Sequence, residues 1–354
     1  MINKWIYQTL TEQQIETQNK LATELSISPI LAQLLIQREI FTFDDARSFF
    51  RPDLADLHDP FLMADMDKAV ERLSKAMRHN EKILVYGDYD VDGTTSVSLV
   101  YKFLKQFYSN IDFYIPDRYS EGYGISIQGI DFAYNNDFKL IIALDCGIKA
   151  IEKVKYAQDH KVDFIICDHH TPDVELPPAV AVLDPKRDDC NYPFKHLSGC
   201  GVGFKLMQAF CIVNNIDFVQ LTPLLDLLAL SIASDIVPIT GENRILAFYG
   251  LKQINSNPSI GVKSILEVCG LSDKEITISD IVFKIGPRIN ASGRMKLATE
   301  AVELLVSSDA IFTKGKSDTI NEYNEDRKGL DKNITDEAIS IIESDKKYSI
   351  RKSL

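Results

Sequence analysis

The chain has 354 residues, of which 45% are hydrophobic and 25% charged, with 17 Gly and 13 Pro. These ordinary values exclude collagen-like, low-complexity and intrinsically disordered classes. The net charge of −12 argues against binding a polyanion through the whole surface, so such a substrate would need a locally positive site, for instance around metal ions. No apolar run approaches the roughly 20 residues that span a bilayer, and the six Cys lack CxxC spacing, so we expect a cytoplasmic protein without membrane contact.

Residues 1–80 are polar, with scattered apolar positions and no strong strand pattern. Within 29–36 and 67–73 the apolar residues recur with the spacing of short amphipathic helices. We therefore predict that residues 1–80 form an N-terminal helical extension.

From residue 82 onward, short apolar runs alternate with amphipathic stretches of helical length. The apolar runs predict strands at 83–86, 111–115, 140–144, 162–167 and 179–183. Continuous apolar strands separated by helices are typical of βαβ units, whose parallel sheet is covered on both faces. The predicted fold class is α/β, a three-layer domain with a mainly parallel sheet over residues 81–312.

The segment from residue 313 to 354 is rich in charged residues, but its apolar residues recur at three-, four- and seven-residue steps. This spacing predicts one long C-terminal helix with an apolar stripe for which the chain offers no further packing partner. We expect residues 313–354 to be a connecting helix and an abrupt, truncated end.

Acidic and His residues follow several of the apolar runs. Three predicted strands lead into such groups: Asp88, Asp90 and Asp92 follow the strand at 83–86, Asp145 follows the strand at 140–144, and Asp168, His169 and His170 follow the strand at 162–167. Asp235 follows a further apolar run at 227–233. Because the carboxyl ends of parallel strands meet at one edge of a sheet, we expect these side chains to lie close together.

Such a cluster could not be fully ionised without cations, since like charges raise one another's pKa. Carboxylate oxygens with one or two imidazole nitrogens suit Mn²⁺ or Mg²⁺, and the His favours Mn²⁺. Five or six ligands exceed what one ion usually takes from a protein, so the sequence predicts two ions. A carboxylate-bridged pair of ions is the arrangement that hydrolyses phosphoesters.

Simpler interpretations exist for each residue alone. The segment 88–93 matches the start of an EF-hand loop, but that loop needs Glu where Leu99 stands and a helix, not a strand, before it. A single Asp after a strand usually caps a helix, and a His pair is more often structural than a ligand. The combination carries the metal-site prediction. No GxxxxGK[ST], HExxH or GxGxxG motif is present, so nucleoside-triphosphate and dinucleotide chemistry has no support.

The triplet at 168–170 is the motif that names the DHH phosphoesterase superfamily, and the chain resembles its RecJ-type single-strand-specific 5′→3′ exonucleases. The resemblance covers about residues 20 to 345, and its motifs lie at 85–93, 116–124, 198–205, 233–238 and 286–294. The motifs are specific together, whereas the triplet alone would be weak.

The resemblance implies a role for each site residue. It assigns the two metals to Asp90, Asp92, Asp145, His169 and Asp235, with Asp145 bridging the ions. Many relatives carry a His where Tyr86 stands here, so Asp88 becomes the additional ligand. His170 is implied to contact the scissile phosphate, and Asp168 to orient its neighbours. Backbone phosphates are assigned to Arg118, Arg288, Asn290 and Arg294.

The implied activity is metal-dependent hydrolysis of single-stranded DNA from the 5′ end to mononucleotides, in recombination and repair. The resemblance also suggests a single-strand-binding protein and a recombination helicase as partners. Two alternatives stay open: a small-substrate phosphodiesterase acting on oligoribonucleotides, cyclic dinucleotides or pyrophosphate, and a non-catalytic DNA-associated scaffold. RecJ-type enzymes carry a second domain and an oligonucleotide-binding barrel after the long helix. We expect this chain to be a form truncated before both.

Overall fold

The computed structural model describes residues 9–344, which fall into two compact units divided between Leu57 and His58. The first unit is helical, with α1 (Glu12–Leu25), α2 (Pro29–Ile36), α3 (Phe43–Phe50) and a 3-10 turn at Leu54–Asp56. Its three α-helices each begin after a Thr or Ser whose hydroxyl accepts a first-turn N–H, an arrangement that stabilises helix starts. Residues 1–8 of the predicted extension lie outside the described residues.

The second unit contains the sheet and the remaining helices. The five strands are β1 (Lys82–Gly87), β2 (Ile111–Tyr114), β3 (Phe138–Leu144), β4 (Asp163–Cys167) and β5 (Ala181–Leu183). The helices before and between the strands are a 3-10 turn (Pro60–Leu62), α4 (Met66–Arg78), α5 (Val91–Leu104), α6 (Ile127–Asn135) and α7 (Ile151–Asp159). After the sheet follow α8 (Gly199–Asn214), two 3-10 turns (Phe218–Gln220, Thr222–Leu224), α9 (Leu225–Ser234), α10 (Gly241–Ser256), α11 (Ile260–Val268), α12 (Ile278–Asp280), a π-helical turn (Ile281–Ile285), α13 (Gly286–Met295), α14 (Thr299–Val306) and α15 (Ala310–Ser344).

The five strands pair in the order β2-β1-β3-β4-β5, and every pair is parallel. In the centre of the sheet, Leu84 of β1 lies between Asp112 of β2 and Ile141 of β3. Because all strands run the same way, their carboxyl ends lie along one edge. The predicted α/β fold with a parallel sheet is confirmed.

Helices cover both faces of the sheet. On one face, Leu84, Ile141 and Phe164 pack with Ile130 of α6 and Val154 of α7, all of them buried. Helices α4, α5 and α8 pack on the opposite face. Burying a large apolar side chain contributes about 1.5–3 kcal/mol, so strands that are apolar on both faces favour this three-layer arrangement.

Helix α15 confirms the predicted long C-terminal helix. Its first half buries Thr313, Ser317, Ile320 and Asn324, whereas apolar residues farther along, such as Ile334, are exposed. Residues 345–354 of the predicted connecting segment lie outside the described residues, and the domain borders at 80 and 312 stay predictions. Within residues 9–344 no helix combines the length and apolar character needed to cross a membrane.

Candidate metal centre

Strand β1 leads directly into the first group of carboxylates. Asp88 is fully buried and its Oδ1 accepts the N–H of Gly124 at 3.3 Å. Asp90 caps α5 by accepting the N–H of Gly93 at 3.0 Å. A Cβ on Gly93 would lie 2.3 Å from the carbonyl oxygen of Asp88, so glycine allows α5 to begin against this loop. The tight turn places Asp88, Asp90 and Asp92 at the carboxyl edge of the sheet.

The side chain of Asp92 contacts the N-terminus of α8. Its carboxylate accepts the N–H groups of Gly199 at 2.6 Å and Cys200 at 2.9 Å, and the hydroxyl of Ser231 at 2.7 Å. A Cβ on Gly199 would lie 2.6 Å from the Asp145 side chain, so glycine is needed for this approach. Two amides at a helix N-terminus and one hydroxyl thus fix the orientation of the Asp92 carboxylate. Ser231 was not predicted, because it lies inside the apolar run of α9.

Asp145 and His169 occupy the ends of the neighbouring strands. Asp145 has φ 58°, and its N–H donates to Cys167, which continues the pairing of β3 with β4. His169 Nε2 lies 3.2 Å from Asp145 Oδ1, 3.6 Å from Asp235 Oδ2 and 3.7 Å from an oxygen of Asp92. The sheet edge therefore brings together residues far apart in the chain.

Two groups of side chains, which share His169, each have all their potential ligand atoms within 4.8 Å of one another. One group is Asp145, His169 and His170, and the other is Asp92, His169 and Asp235. Asp88 and Asp90 are not in these groups but interact electrostatically with them. Burial and Asp90 raise the pKa of Asp88 to about 7, and burial and Asp92 raise that of Asp90. The assignment of all six metal ligands stays a prediction.

The donor atoms fit a divalent cation. Asp88 Oδ2, Asp145 Oδ1 and both ring nitrogens of His169 are buried without a hydrogen-bond partner. Burial and the Asp92 charge raise the pKa of Asp145 well above its ordinary value and that of Asp235 to about 7. Burial lowers the pKa of His169, which keeps the imidazole in the neutral form that binds metals. Carboxylates with an imidazole suit Mn²⁺ or Mg²⁺.

Asp168 contacts both histidines, through the imidazole of His170 and the backbone of His169. Its Oδ1 lies 2.7 Å from His170 Nδ1 and accepts the backbone N–H of His169 at 2.7 Å, while Oδ2 accepts that of Ile148. The hydrogen bond with Asp168 raises the pKa of His170. These contacts are those of a residue that orients its neighbours, which is the predicted role of Asp168. The catalytic roles of His170, Asp145 and Asp168 stay predictions.

Tyr123 is a site residue that sequence reasoning missed. Its hydroxyl lies 3.3 Å from His170 Nε2, and burial and the charge of Asp145 raise its pKa. The only signal was its place in the motif at 116–124. There, Glu121 accepts the N–H of Asp117 at 2.8 Å, and glycines with positive φ flank Tyr123, so the loop shape directs the ring toward the metal centre.

Two of the predicted phosphate-binding arginines are exposed beside the acidic loop. The Arg118 guanidinium lies 5.1 Å from the centre of the Tyr89 ring, a cation–π contact. Arg294 is also exposed, and its carbonyl oxygen accepts the Tyr119 hydroxyl at 2.5 Å. Both guanidinium groups are open to an anionic ligand.

The other two predicted residues are engaged within the protein. Arg288 Nε donates to Asn321 Oδ1 of α15 at 2.8 Å, and Asn290 Oδ1 accepts the N–H of Val91 at the start of α5. Helix α13, which carries both, packs so closely on the metal-binding loops that a Cβ on Gly293 would lie 2.6 Å from the Tyr89 carbonyl oxygen. These contacts fix α13 beside the metal centre, and the proposed DNA contacts of Arg288 and Asn290 stay predictions.

Comparison with known proteins identifies relatives. Residues 82–232 match the model described as "DHH family, N-terminal domain". The chain is 39% identical over 323 residues to the single-stranded-DNA-specific exonuclease RecJ of Bacillus subtilis, covering 91% of this chain and 40% of that protein. It is 35% identical to RecJ of Escherichia coli over 79% of this chain and 51% of the relative. The chain spans about half the length of these relatives.

Solved structures show the same fold. RecJ from Thermus thermophilus in complex with Mn²⁺ has a TM-score of 0.78 and 25% identity, covering 90% of this chain and 45% of that one. An exonuclease RecJ bound to manganese has a TM-score of 0.72 and 28% identity, covering 80% of this chain and 70% of the other.

Proposed function

We propose that this chain hydrolyses single-stranded DNA from the 5′ end and releases mononucleotides, a proposal supported by the match of residues 82–232 to the DHH family model. The observation that carries the proposal is the convergence of Asp92, Asp145, His169 and Asp235 at the carboxyl edge of the sheet. Buried side chains of like charge, whose potential metal ligands have no hydrogen-bond partner, destabilise a fold but favour the binding of cations.

We assign the cations to Asp88, Asp90, Asp92, Asp145, His169 and Asp235, and Mn²⁺, with Mg²⁺ as the alternative, is the proposed metal. Two related structures contain manganese, which supports this choice. When bound, a pair of such ions neutralises the cluster, activates water and stabilises the charge that develops on the phosphoryl oxygens.

The chain's own residues would then bind and orient the DNA. Asp168 accepts a hydrogen bond from His170 Nδ1, which leaves Nε2 to face the substrate side near Tyr123. The raised pKa of His170 favours the protonated ring, whose Nε2–H can donate to a phosphate oxygen. The exposed guanidinium groups of Arg118 and Arg294 would hold backbone phosphates as charge-assisted hydrogen-bond donors.

A cavity beside the metal centre supports a nucleotide substrate. Its volume is about 460 Å³, and its lining includes Tyr123, Ile125, Lys149 and Lys153. This size falls within the range of small-molecule sites, and the lining combines apolar surface with two lysines and the acidic Glu152. Such a site suits a base or sugar together with a phosphate.

The proposal extends to partners by family resemblance alone. A single-strand-binding protein and a recombination helicase would deliver the DNA strand, and the cytoplasm would be the site of action. The RecJ exonucleases of Bacillus subtilis and Escherichia coli are both named as specific for single-stranded DNA, which supports single-stranded DNA as the proposed substrate.

The test is a nuclease assay on single-stranded DNA labelled at either end, with Mn²⁺ and with EDTA. Asp145→Asn is the inactive variant, and Asp137→Asn is its matched control. Both positions hold an Asp with positive φ, at 58° and 63°, but Asp137 is an exposed residue outside the metal centre.

We expect the wild type and Asp137→Asn to release mononucleotides from the 5′ label, and Asp145→Asn to release none. Cleavage of oligoribonucleotides or cyclic dinucleotides without cleavage of DNA would favour the small-substrate phosphodiesterase. Metal binding without cleavage of any of these substrates would contradict the proposed activity.

A further inference from the structure

Ile236 has an unusual backbone conformation for its side chain. Its φ is 58°, in the left-handed region that β-branched residues rarely adopt. The residue is 81% exposed, so the strain is not offset by burial in the core. A strained residue that contributes little to the fold suggests a role outside folding.

The other residues with this backbone conformation differ in chemistry. Among residues 9–344, the remaining non-glycine residues with positive φ all have polar side chains: Ser26, Glu39, Asp65, Asn80, Asp137, Asp145, Lys161 and Asn215. Polar residues of the Asn and Asp type tolerate this region through local hydrogen bonds. Ile236 has no such compensation, although it stands where α9 ends and glycine or asparagine would be usual.

The position of Ile236 connects it with the metal centre. It directly follows Asp235, whose carboxylate lies 3.6 Å from His169 Nε2. The Asp235 side chain is 27% exposed, unlike the nearly buried Asp92 and Asp145, so the centre opens to solvent on this side. The preceding Ser234 packs on Gly286, where an added Cβ would lie 2.8 Å from the Ser234 hydroxyl. Ile236 therefore stands on the segment between the open side of the centre and α13.

We propose that the Ile236 side chain contacts the face of a nucleobase in the single strand that binds beside the metal centre. The proposal deepens the function proposed above and rests on it. A base face is apolar and common to all four bases, so an aliphatic contact supplies affinity without sequence preference. The contact would cover an apolar side chain that the free protein leaves in water.

Three variants separate substrate contact from folding. Ile236→Gly accepts the positive φ and removes the side chain, whereas Ile236→Val keeps an apolar, β-branched group. Lys161→Gly is the matched control, because Lys161 is exposed, has φ 59° and lies in the turn after α7. Binding is measured by fluorescence anisotropy of 3′-fluorescein-(dT)12 with Ca²⁺, and stability by thermal unfolding.

We expect both glycine variants to raise the Tm by relieving backbone strain. Only Ile236→Gly should weaken oligonucleotide binding, by about tenfold, with Ile236→Val close to wild type. In the nuclease assay the change should appear in KM and not in kcat.

Unchanged affinity in Ile236→Gly would overturn the inference, and so would a lower Tm, which would show that the side chain stabilises the fold. A wild type that binds the oligonucleotide but hydrolyses no DNA would contradict the proposed function instead. The binding comparison among the variants does not depend on hydrolysis, so the two failures are distinguishable.

Discussion

Two of the places where the second unit buries charge differ in whether the chain itself supplies the partners. Lys205 and Glu242 form one group: Lys205 Nζ lies 2.6 Å from Glu242 Oε1 and donates to the His58 carbonyl oxygen, while Glu242 Oε2 accepts the Tyr192 hydroxyl at 2.6 Å. Opposite charges meet there, and each has further hydrogen bonds. The group is complete without a ligand.

The metal centre is the contrasting case. Its charges are of one sign, and buried atoms of Asp88, Asp145 and His169 have no hydrogen-bond partner. The comparison teaches that burial of charge alone does not indicate function. Charges whose partners belong to the chain hold the fold, whereas several carboxylates that converge in a buried site without partners indicate a ligand from outside.

Breaking the metal centre should produce the largest effect. Asp145→Asn should reduce DNA hydrolysis at least about 1,000-fold, because it removes the carboxylate nearest to His169. The Tm of the metal-free protein should stay unchanged or rise, because one of several repelling carboxylates is gone. Nuclease assays and thermal unfolding in EDTA measure the two effects, with Asp137→Asn as control. A large loss of Tm in EDTA would mean that the centre is a structural group.

Breaking the group of Lys205 and Glu242 should destabilise the fold without affecting the binding of Mn²⁺. Lys205→Met leaves Glu242 buried and unpaired, which should reduce the free energy of unfolding by about 3–5 kcal/mol. Adding Glu242→Gln removes the orphaned charge and should restore much of this loss. Urea unfolding of the single and double variants measures the effect. Loss of Mn²⁺ affinity in the folded Lys205→Met variant would contradict the division between the two groups.

Binding of Mn²⁺ to the metal centre should stabilise the protein. Mn²⁺ at about 100 times its Kd should add about 2.7 kcal/mol to the free energy of unfolding, and EDTA should reverse the gain. The increase should be reduced or lost in Asp145→Asn and retained in Asp137→Asn. Thermal unfolding with and without Mn²⁺ measures it, and an equal increase in both variants would place the binding elsewhere.

The stability of the metal-free protein should depend on pH. Burial and neighbouring carboxylates raise the pKa of Asp88 and Asp235 from 3.8 to about 7. Between these values the folded protein holds protons that the unfolded chain has released, so the stability of the metal-free protein should fall as pH rises through this interval. The gain in Tm from Mn²⁺ should increase over the same interval, because cations compete with protons for the carboxylates. A gain that is independent of pH from 5 to 8 would contradict this coupling.

The sequence predicted the features that depend on local pattern. Apolar runs located all five strands, and parallel topology then placed the residues that follow β1, β3 and β4 at one edge. Side-chain direction was not predictable, because it depends on distant partners. Arg288 lies in a motif, but its guanidinium contacts Asn321, and the Ser231 hydroxyl reaches Asp92 from a helix that begins more than a hundred residues later.

Tyr86 shows the same limit. The sequence indicated that it replaces a ligand found in relatives, but could not say what the ring would do. In the structure its buried hydroxyl donates to the Gly124 carbonyl oxygen at 2.9 Å and accepts the Ser126 N–H. The residue thus supports the loop that carries Tyr123 and is not part of the cluster of candidate ligands.

The most direct test of the central claim is a calorimetric titration of the metal-free protein with Mn²⁺. We expect two ions to bind per chain in the wild type and in Asp137→Asn, and at least one to be lost in Asp145→Asn. Absence of binding to the wild type, or identical binding to Asp145→Asn, would contradict the account that the unpartnered carboxylates at the sheet edge form a metal centre.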